Sequence, residues 1–325
     1  MSAYLLRRMV YGLAILVGVN VFTFGLFFFV NSPDDMARAQ LGVKRVTPAA
    51  VEKWKAERGY DKPLFFNEKK SGIATMTETV FFQKSIRLFV FDFGSSDQGR
   101  NIGFDIRERM WPSLAVQLPA FAVGLAVYLS LALIMAFFRA TPIDRAGVVL
   151  CVMMMSISTL FYIIGGQFLF GKLWNLVPVS GYQEGFDAVK FLLLPALIGV
   201  VAGLGGNARW YRTIFLEEIH KDYVRTARAK GLAEPRILFV HVLKNAMIPV
   251  LTGVVVVIPM LFLGALITES FFGIPGLGSY TIDAINQQDF AIVRAMVFLG
   301  AALYVAGLVL TDIAYTLVDP RVRFS

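Results

Sequence analysis

Two glycine-containing segments approach the spacing of nucleotide-binding motifs, and each lacks a residue that this chemistry requires. Gly166-Gln-Phe-Leu-Phe-Gly171-Lys172 has most of a phosphate-binding loop, but Leu173 stands where a Ser or Thr would ligate magnesium. Gly276-Leu-Gly278 begins like a dinucleotide-binding turn, but Thr281 replaces the third glycine. We therefore expect no ATP site and no dinucleotide site in this chain.

Metal-ligating and nucleophilic side chains are too sparse to predict a catalytic centre. His220 and His241 are the only histidines, and neither belongs to a His-Glu-x-x-His pair. Cys151, the only cysteine, lies within an apolar run and is predicted to be a packing residue. The sequence thus predicts that the chain is not an enzyme and holds no cofactor or metal of its own.

The composition places the chain in a membrane. Apolar residues make up 57% of the 325 positions and charged residues only 17%, whereas soluble proteins carry roughly 25% charged residues. The mean hydropathy is +0.64. The net charge of +8 is then better explained by loops beside membrane lipid than by a nucleic-acid partner.

Six apolar runs are about long enough, at roughly 20 residues each, to cross a bilayer as helices. They are Met9–Val30, Pro112–Phe138, Ala146–Phe170, Phe191–Gly206, Ala246–Thr268 and Ala291–Leu317. The predicted organisation is a cytoplasmic tip and first helix (1–30), an extracytoplasmic lobe (31–111), a transmembrane core (112–317) with a cytoplasmic loop (209–245), and a cytoplasmic tail (318–325). The first run exceeds a signal-peptide core in length, which favours an uncleaved anchor.

The orientation follows from Lys and Arg in the short loops, because these residues are retained on the cytoplasmic side. Fourteen lie at one set of helix ends and three at the other. Both termini are therefore predicted to be cytoplasmic. Within the spans, Asp312 is the clearest acidic residue, and such sparse intramembrane charge disfavours a proton-coupled or ion-coupled transporter.

The cytoplasmic loop contains an amphipathic pattern. Residues 217–230 predict one helix, with an apolar face formed by Phe215, Ile219, Tyr223, Thr226 and Ala227. Gly231 is expected to end it in a left-handed conformation, and Pro235 to begin a second helix. The alternative is a basic helix that lies on anionic lipid.

Tyr223-Val-Arg-Thr-Ala-Arg-Ala-Lys-Gly231-Leu, followed by His241-Val-Leu-Lys-Asn-Ala-Met-Ile-Pro249, resembles the coupling loop of ABC-importer permeases, and most closely that of the dipeptide/oligopeptide subfamily. Four further segments are similar to that subfamily: Tyr60-Asp-Lys-Pro63-Leu, Asp92-Phe-Gly94-Ser, Glu269-Ser-Phe-Phe-Gly-Ile-Pro-Gly-Leu-Gly278, and Asp312 to Arg321. Ala233 stands where many members have serine, so the second helix is expected to lack a side-chain N-cap.

The resemblance implies a type I ABC importer permease fold in a bacterial inner membrane. It also implies three kinds of partner: a second, similar permease, two ATPase subunits that bind ATP and Mg²⁺, and an extracytoplasmic solute-binding protein. ATPase closure would move the permease through the coupling loop. The residues implied in this coupling are Asp222, Tyr223, Arg225, Thr226, Ala227, Arg228, Ala229, Lys230 and Gly231.

The segment before the last span is predicted to form a tight outward-facing turn, because proline and glycine there disfavour a continuous helix. An outer gate is one interpretation and a plain loop is the other. The candidate gate residues are Glu269, Gly273, Pro275, Gly276 and Gly278. Polar residues that could line a substrate path, without an assignable face, are Gln117, Ser156, Ser158, Tyr162, Gln167 and Asn207.

The resemblance favours peptide as the cargo and leaves nickel, opines and peptide-like antibiotics open. Two other classes of protein remain as alternatives. A secondary transporter would follow an ion gradient without ATPase partners, and a scaffold would not transport at all.

Overall fold

The computed structural model describes residues 2–42, 46–68 and 70–318. Most of these residues are helical, and they contain one isolated β-bridge, between Ser95 and Asn101. The α-helices are α1 (Ser2–Gly25), α2 (Pro33–Leu41), α3 (Pro48–Arg58), α4 (Ala74–Thr77), α5 (Val80–Lys84), α6 (Ile102–Phe137), α7 (Pro142–Met155), α8 (Thr159–Gly166), α9 (Ala188–Ile219), α10 (Asp222–Ala229), α11 (Glu234–Arg236), α12 (Leu243–Met260), α13 (Leu266–Phe272), α14 (Leu277–Asn286) and α15 (Phe290–Val318). Further π or 3-10 turns are Leu26–Val30, Ile86–Val90, Gln167–Leu173, Gly185–Asp187, Ile237–Val242 and Leu261–Leu263.

Long apolar helices dominate the described part of the chain, and the predicted all-α polytopic fold is confirmed. Five stretches are long and apolar enough to cross a membrane. They are Leu6–Val30, Ile102–Phe137, Gly185–Ile219, Glu234–Leu263 and Phe290–Ala314. The pair Pro142–Met155 and Thr159–Leu173 is a sixth candidate, broken by a bend of 86°.

The third predicted span, 146–170, is therefore not one continuous helix, and two serines explain the break. The Ser156 hydroxyl donates to the Val152 carbonyl at 2.9 Å, at the last turn of α7. Ser158 adopts an extended conformation and caps α8, accepting the Leu160 N–H at 3.4 Å. Serine hydroxyls compete with backbone hydrogen bonds in this way. The apolar run length used to predict the span does not detect such a break.

Other predicted boundaries also shift. The fourth span, predicted over 191–206, belongs to a helix that continues to Ile219, so 209–219 is helix rather than loop. The fifth, predicted over 246–268, ends near Leu263, and Gly264 with a φ of +72° separates it from α13. The second begins at Ile102 rather than at residue 112. Of the predicted tail 318–325, residues 319–325 lie outside the described residues, as do the last three residues of the segment Asp312–Arg321.

The described residues up to 109, together with 280–309, form one compact unit. Phe24 and Phe28 from the end of the first helical stretch pack with Met36, Trp54 and Tyr60 from the region predicted as a lobe. The Asn20 amide donates to the Ser85 carbonyl at 3.1 Å, which joins α1 to the same region. The aromatic cluster keeps α2 and α3 against the first span, and the Asn20 hydrogen bond holds Ser85 there.

Residues 110–279 and the described residues from 310 onwards form the second unit. A Cβ placed on Gly205 of α9 would lie 2.4 Å from the Cys151 carbonyl of α7, so only glycine permits this close approach. Cys151 itself is fully buried, in agreement with a packing role. Arg212 of α9 binds Asp144 of α7 through two hydrogen bonds of 2.8 and 2.7 Å.

Candidate functional site

The predicted coupling segment is an eight-residue helix, α10, that follows a sharp break after α9. The prediction of one helix over 217–230 is wrong, because α9 ends at Ile219 and α10 begins at Asp222. Buried Glu218 stabilises the break by accepting the Tyr223 hydroxyl at 2.8 Å and by pairing with Lys221. Burial raises the pKa of Tyr223 to about 12, so its hydroxyl stays protonated as a donor.

One face of α10 is buried in its own chain. Val224 is 0% exposed and Ala227 is 6% exposed. Both pack in a core cluster with Phe215 and Ile219 of α9 and with Ile237 of the following π-helical turn. Ala227, one of the residues that the resemblance implied in coupling, therefore fixes α10 to its own chain. Tyr223 is half-buried on the same helix.

The opposite face of α10 is exposed. Its members lie three or four residues apart, as neighbours on a helix surface do. Asp222 and Arg225 form a solvent-exposed ion pair at 3.3 Å, a kind of contact that contributes little to stability. The exposed residues are Asp222, Arg225, Thr226 and Ala229, continued by Lys230 and Gly231.

The end of α10 is fixed by backbone conformation and by an ion pair. Gly231 has a φ of +76°, as expected for a left-handed position after a helix. Arg228 Nε and Nη2 donate to Glu234 Oε1 and Oε2 at 2.6 and 3.2 Å, which ties α10 to the start of the next helix. Ala233 provides no side-chain cap, as predicted. Arg228 is thus occupied within the chain, whereas the resemblance implied a partner contact.

The candidate outer gate is a tight turn between α13 and α14. Gly273 ends α13 with a φ of +64°, and the Ile274 N–H donates back to the Glu269 carbonyl at 2.9 Å. The Gly276 N–H closes the turn on the Ile274 carbonyl at 2.8 Å, with Pro275 between them. The turn that proline and glycine predicted is present, and its role as an outer gate stays a prediction.

A buried carboxylate holds this turn. Glu269 is 0% exposed and accepts the N–H groups of Gly278 at 2.7 Å, Ser279 at 3.2 Å and Ala265 at 3.1 Å. Ser113 of α6 also hydrogen-bonds the carboxylate and accepts the Leu277 N–H at 2.8 Å. The carboxylate therefore satisfies free N–H groups at the start of α14, where a negative charge is favourable.

Three glycines leave room for that carboxylate. A Cβ on Gly264 would lie 1.9 Å from Glu269 Oε1, and one on Gly276 would lie 2.2 Å from Glu269 Oε2. A Cβ on Gly278 would lie 2.7 Å from the Ala265 carbonyl carbon. The glycine spacing in this segment is thus explained by packing around Glu269 rather than by nucleotide binding.

Two of the six polar candidates for a substrate path, Gln117 and Asn207, share one groove between α6, α9 and α12. The groove has a volume of about 430 Å³ and is also lined by Tyr128 and Trp210. The Tyr128 hydroxyl donates to the Val200 carbonyl at 2.9 Å. We call this cavity the Tyr128 groove.

Glycines shape the Tyr128 groove as well. A Cβ on Gly203 would lie 2.5 Å from the Tyr128 hydroxyl, and one on Gly253 would lie 3.2 Å from the Trp210 ring. The lining residues, all in the described part of the chain, include no Asp, Glu, Lys or Arg. The groove is therefore aromatic and polar but uncharged.

The other four polar candidates do not line the Tyr128 groove. Tyr162 donates to the Met154 carbonyl at 2.9 Å, and Gln167 donates to the carbonyls of Val179 and Phe271 at 3.0 and 3.1 Å. Ser156 and Ser158 instead form the break between α7 and α8. These side chains hold backbone segments in place.

Sequence reasoning missed several residues that build these sites. Glu218 and Glu234 fix α10, while Ser113 and Gly264 complete the Glu269 pocket. Glu234 had a local signal, since an acidic residue directly before Pro235 is typical of a helix start. Ser113 had none, because its partners are far away in the sequence.

Long apolar helices, interrupted by a short helix with one exposed and one buried face, are typical of a multi-pass membrane protein. Residues 128–324 match the family described as binding-protein-dependent transport system inner membrane component. Residues 1–84 match the N-terminal family of such membrane components. The chain belongs to this family of transport permeases, which have the type I ABC importer permease fold, and the predicted resemblance is confirmed.

Relatives match over nearly their whole length. The chain is 31% identical to the di/tripeptide transport system permease protein of Pseudomonas aeruginosa, with 99% of each chain covered. It is 28% identical to the oligopeptide transport system permease protein of Bacillus subtilis, with 100% of each covered. It is also 28% identical to the dipeptide transport system permease protein of Escherichia coli, with 99% of each covered.

Proposed function

We propose that this chain is a permease subunit of an ATP-driven importer for di- or oligopeptides in a bacterial inner membrane. The proposed assembly contains a second, similar permease, two ATPase subunits that bind ATP and Mg²⁺, and an extracytoplasmic solute-binding protein. The names of the relatives support a peptide cargo. The alternative cargoes are nickel, opines and peptide-like antibiotics.

The observation that carries the coupling role is the two-sided character of α10. Its buried side, Val224 and Ala227, packs on α9 and on the turn that leads into α12. Its exposed side presents short or charged residues, Asp222, Arg225, Thr226 and Ala229. A partner that binds the exposed side would move α9 and α12 together with α10. The close packing of the buried side transmits the displacement as a rigid body.

The Tyr128 groove is the part of the passage that this chain contributes under the proposal. Its uncharged lining suits peptides of varied charge, since a buried fixed charge would favour some side chains and exclude others. Aromatic rings and the Gln117 amide offer weak contacts that a moving substrate leaves easily. Selection would then rest with the solute-binding protein.

The test is ATP-dependent uptake by the reconstituted assembly. The tagged chain is co-expressed with the permease, ATPase and binding-protein chains, purified, and placed in proteoliposomes with ATP inside and labelled dipeptide outside. We expect uptake that needs ATP and the binding protein and persists when ionophores remove ion gradients. Uptake that follows a proton or sodium gradient without the ATPase subunits would instead support a secondary transporter.

A matched pair of variants tests the passage. Gln117→Leu in the groove is expected to change the uptake rate without changing complex assembly. Gln98→Leu, at an exposed position of the first unit, serves as the control and is expected to leave the rate unchanged. Equal rates for Gln117→Leu and the unmodified chain over a series of dipeptides would remove Gln117 from the path.

A further inference from the structure

Another cavity lies in the first compact unit, and it shares no lining residue with the Tyr128 groove or with α10. Its volume is about 110 Å³, and it lies where residues 83–95 meet the first turns of α15. Three basic side chains line it, those of Lys84, Arg87 and Arg294, together with one acidic side chain, Asp92. This concentration of positive charge in a small cavity has no role in the proposed coupling mechanism.

Arg294 is the most deeply buried of the three, with 5% of its surface exposed. Its Nε donates to the Phe290 carbonyl at 3.3 Å, and its guanidinium lies 5.1 Å from the centroid of the Phe28 ring. Within the described residues, Nη1 is buried without a hydrogen-bond acceptor, and the guanidinium has no carboxylate partner. An unpaired buried charge is costly, so an anion at this position would be stabilising.

Lys84 is half-buried beside the same cavity, and its ammonium lies 5.1 Å from the centroid of the Tyr60 ring. Desolvation, followed by the positive charge of Arg294, lowers the pKa of Lys84 to about 8. Among the described residues, it too has no carboxylate partner. The described residues thus provide no counter-ion for these two neighbouring cations.

The nearby acidic residues are already engaged. Asp92 pairs with Arg87 at 3.4 Å, and Asp97 accepts Arg58 Nε at 2.8 Å. Asp289 accepts the backbone N–H groups of Asp97 and Ile292 at 2.8 and 3.2 Å. None of these carboxylates neutralises Lys84 or Arg294 directly.

The size and charge of the cavity select the kind of anion. One water molecule takes up about 30 Å³ of liquid, so the cavity accommodates a group of roughly acetate size. Asp92 in its wall repels a dianion more strongly than a monoanion. A planar carboxylate also matches the paired donors of a guanidinium.

We propose that this cavity is a carboxylate-binding site in which Lys84, Arg87 and Arg294 hold one monoanionic carboxylate. The carboxylate comes either from the C-terminus of a free peptide or from an acidic side chain of a protein that docks on this unit. Both sources present the same group to the same three cations. The site does not depend on the coupling role of α10.

The test is competitive acylation of Lys84 in the full-length chain, purified in lipid nanodiscs. The chain is treated with a trace of acetic anhydride at pH 7.4 while sodium acetate replaces sodium chloride at constant ionic strength. Mass spectrometry reports the labelling rates of Lys84 and of Lys53, an exposed lysine of the same unit. Acylation requires the neutral amine, so a carboxylate that raises the pKa of Lys84 by one unit slows its labelling about tenfold.

We expect saturable protection of Lys84 by acetate and no change at Lys53. Arg87→Gln should weaken the apparent acetate affinity severalfold without unfolding the chain, because the Arg87 side chain is 58% exposed. Arg294→Gln should abolish the protection. Equal labelling of Lys84 in acetate and chloride would overturn the proposal, as would protection that survives Arg87→Gln undiminished.

Alanyl-alanine and its C-terminal amide separate the two sources of the carboxylate. Protection by the dipeptide and not by the amide supports the site and identifies a peptide terminus as its ligand. Protection by acetate but not by the dipeptide supports the site and assigns it to the acidic side chain of a docking protein. Equal protection by the dipeptide and its amide contradicts carboxylate recognition.

Discussion

The proposed coupling helix α10 and the Glu269 turn are both short segments between long helices, yet they are stabilised in opposite ways. α10 rests on two buried apolar residues, Val224 and Ala227, and leaves Asp222 and Arg225 exposed. The turn places its one charge, Glu269, in a fully buried position surrounded by backbone N–H donors. A helix that a partner binds needs a solvent-exposed face. A turn held by a buried carboxylate instead has only one low-energy conformation.

This contrast predicts that the turn is the more sensitive of the two to substitution. Glu269→Ala removes the acceptor of several buried N–H groups, which should lower the free energy of unfolding by on the order of 3 kcal/mol. Gly276→Ala forces a methyl group against the carboxylate and should cost about 2 kcal/mol. The measurement is the thermal unfolding midpoint of the purified chain in detergent.

Gly165→Ala provides the control for these changes, because a Cβ at Gly165 in α8 would meet nothing within 4 Å. It should leave the midpoint unchanged or raise it slightly, since alanine favours a helix more than glycine does. A Gly276→Ala variant as stable as Gly165→Ala would show that the Glu269 pocket tolerates added volume.

The next largest effect separates the two faces of α10. Ala227→Asp buries a charge in the cluster around Phe215 and should lower the free energy of unfolding by about 2 kcal/mol. A loss of this size lowers the thermal unfolding midpoint by several degrees. Ala229→Asp places the same charge on the exposed face and should leave the midpoint unchanged. Both should reduce ATP-dependent uptake, the first through the loss of packing and the second through the loss of partner contact.

Thermal unfolding and uptake of this pair are measured on the same preparations. An Ala229→Asp variant that is stable and transports normally would remove the exposed face from coupling. An equal loss of stability in both variants would show that the helix has no free face.

The smallest effect belongs to the ion pair at the end of α10. Arg228 and Glu234 are partly exposed, with side-chain exposures of 33% and 57%, so their pair is screened by solvent. A double-mutant cycle with Arg228→Gln and Glu234→Gln should give a coupling energy of no more than about 1 kcal/mol. A coupling energy several times larger would mean that this pair, rather than Val224 and Ala227, holds α10 in place.

The sequence predicts α10 and the turn because their signals are local. Gly231 follows an amphipathic run, and Pro275 lies among closely spaced glycines, so both breaks in helical structure can be read directly. The break at His220 could not be read, because the apolar spacing from Phe215 to Ala227 continues through it. Contacts of Glu218 with Tyr223 and Lys221 decide that boundary, and they form only in the folded chain.

The roles of individual side chains were harder to predict than the elements that carry them. Ala227 matches a coupling motif, but the motif does not indicate which side of the helix packs against its own chain. Glu269 was recognised beside the turn, whereas its acceptor role depends on Ser113, a distant residue in α6. Gln117 and Asn207 share a groove only because α6 and α9 pack side by side.

The most direct test of the central claim asks what touches the exposed face of α10. Cys151 is the only cysteine and is buried, so Ala229→Cys introduces one accessible thiol for a photoactivatable cross-linker. Lys190→Cys provides the matched control, because Lys190 is exposed in the first turn of α9. In the assembled complex, we predict cross-links from position 229 to an ATPase subunit and none from position 190. Cross-links from position 229 to lipid alone, in a complex that contains the ATPase, would contradict the coupling role of α10.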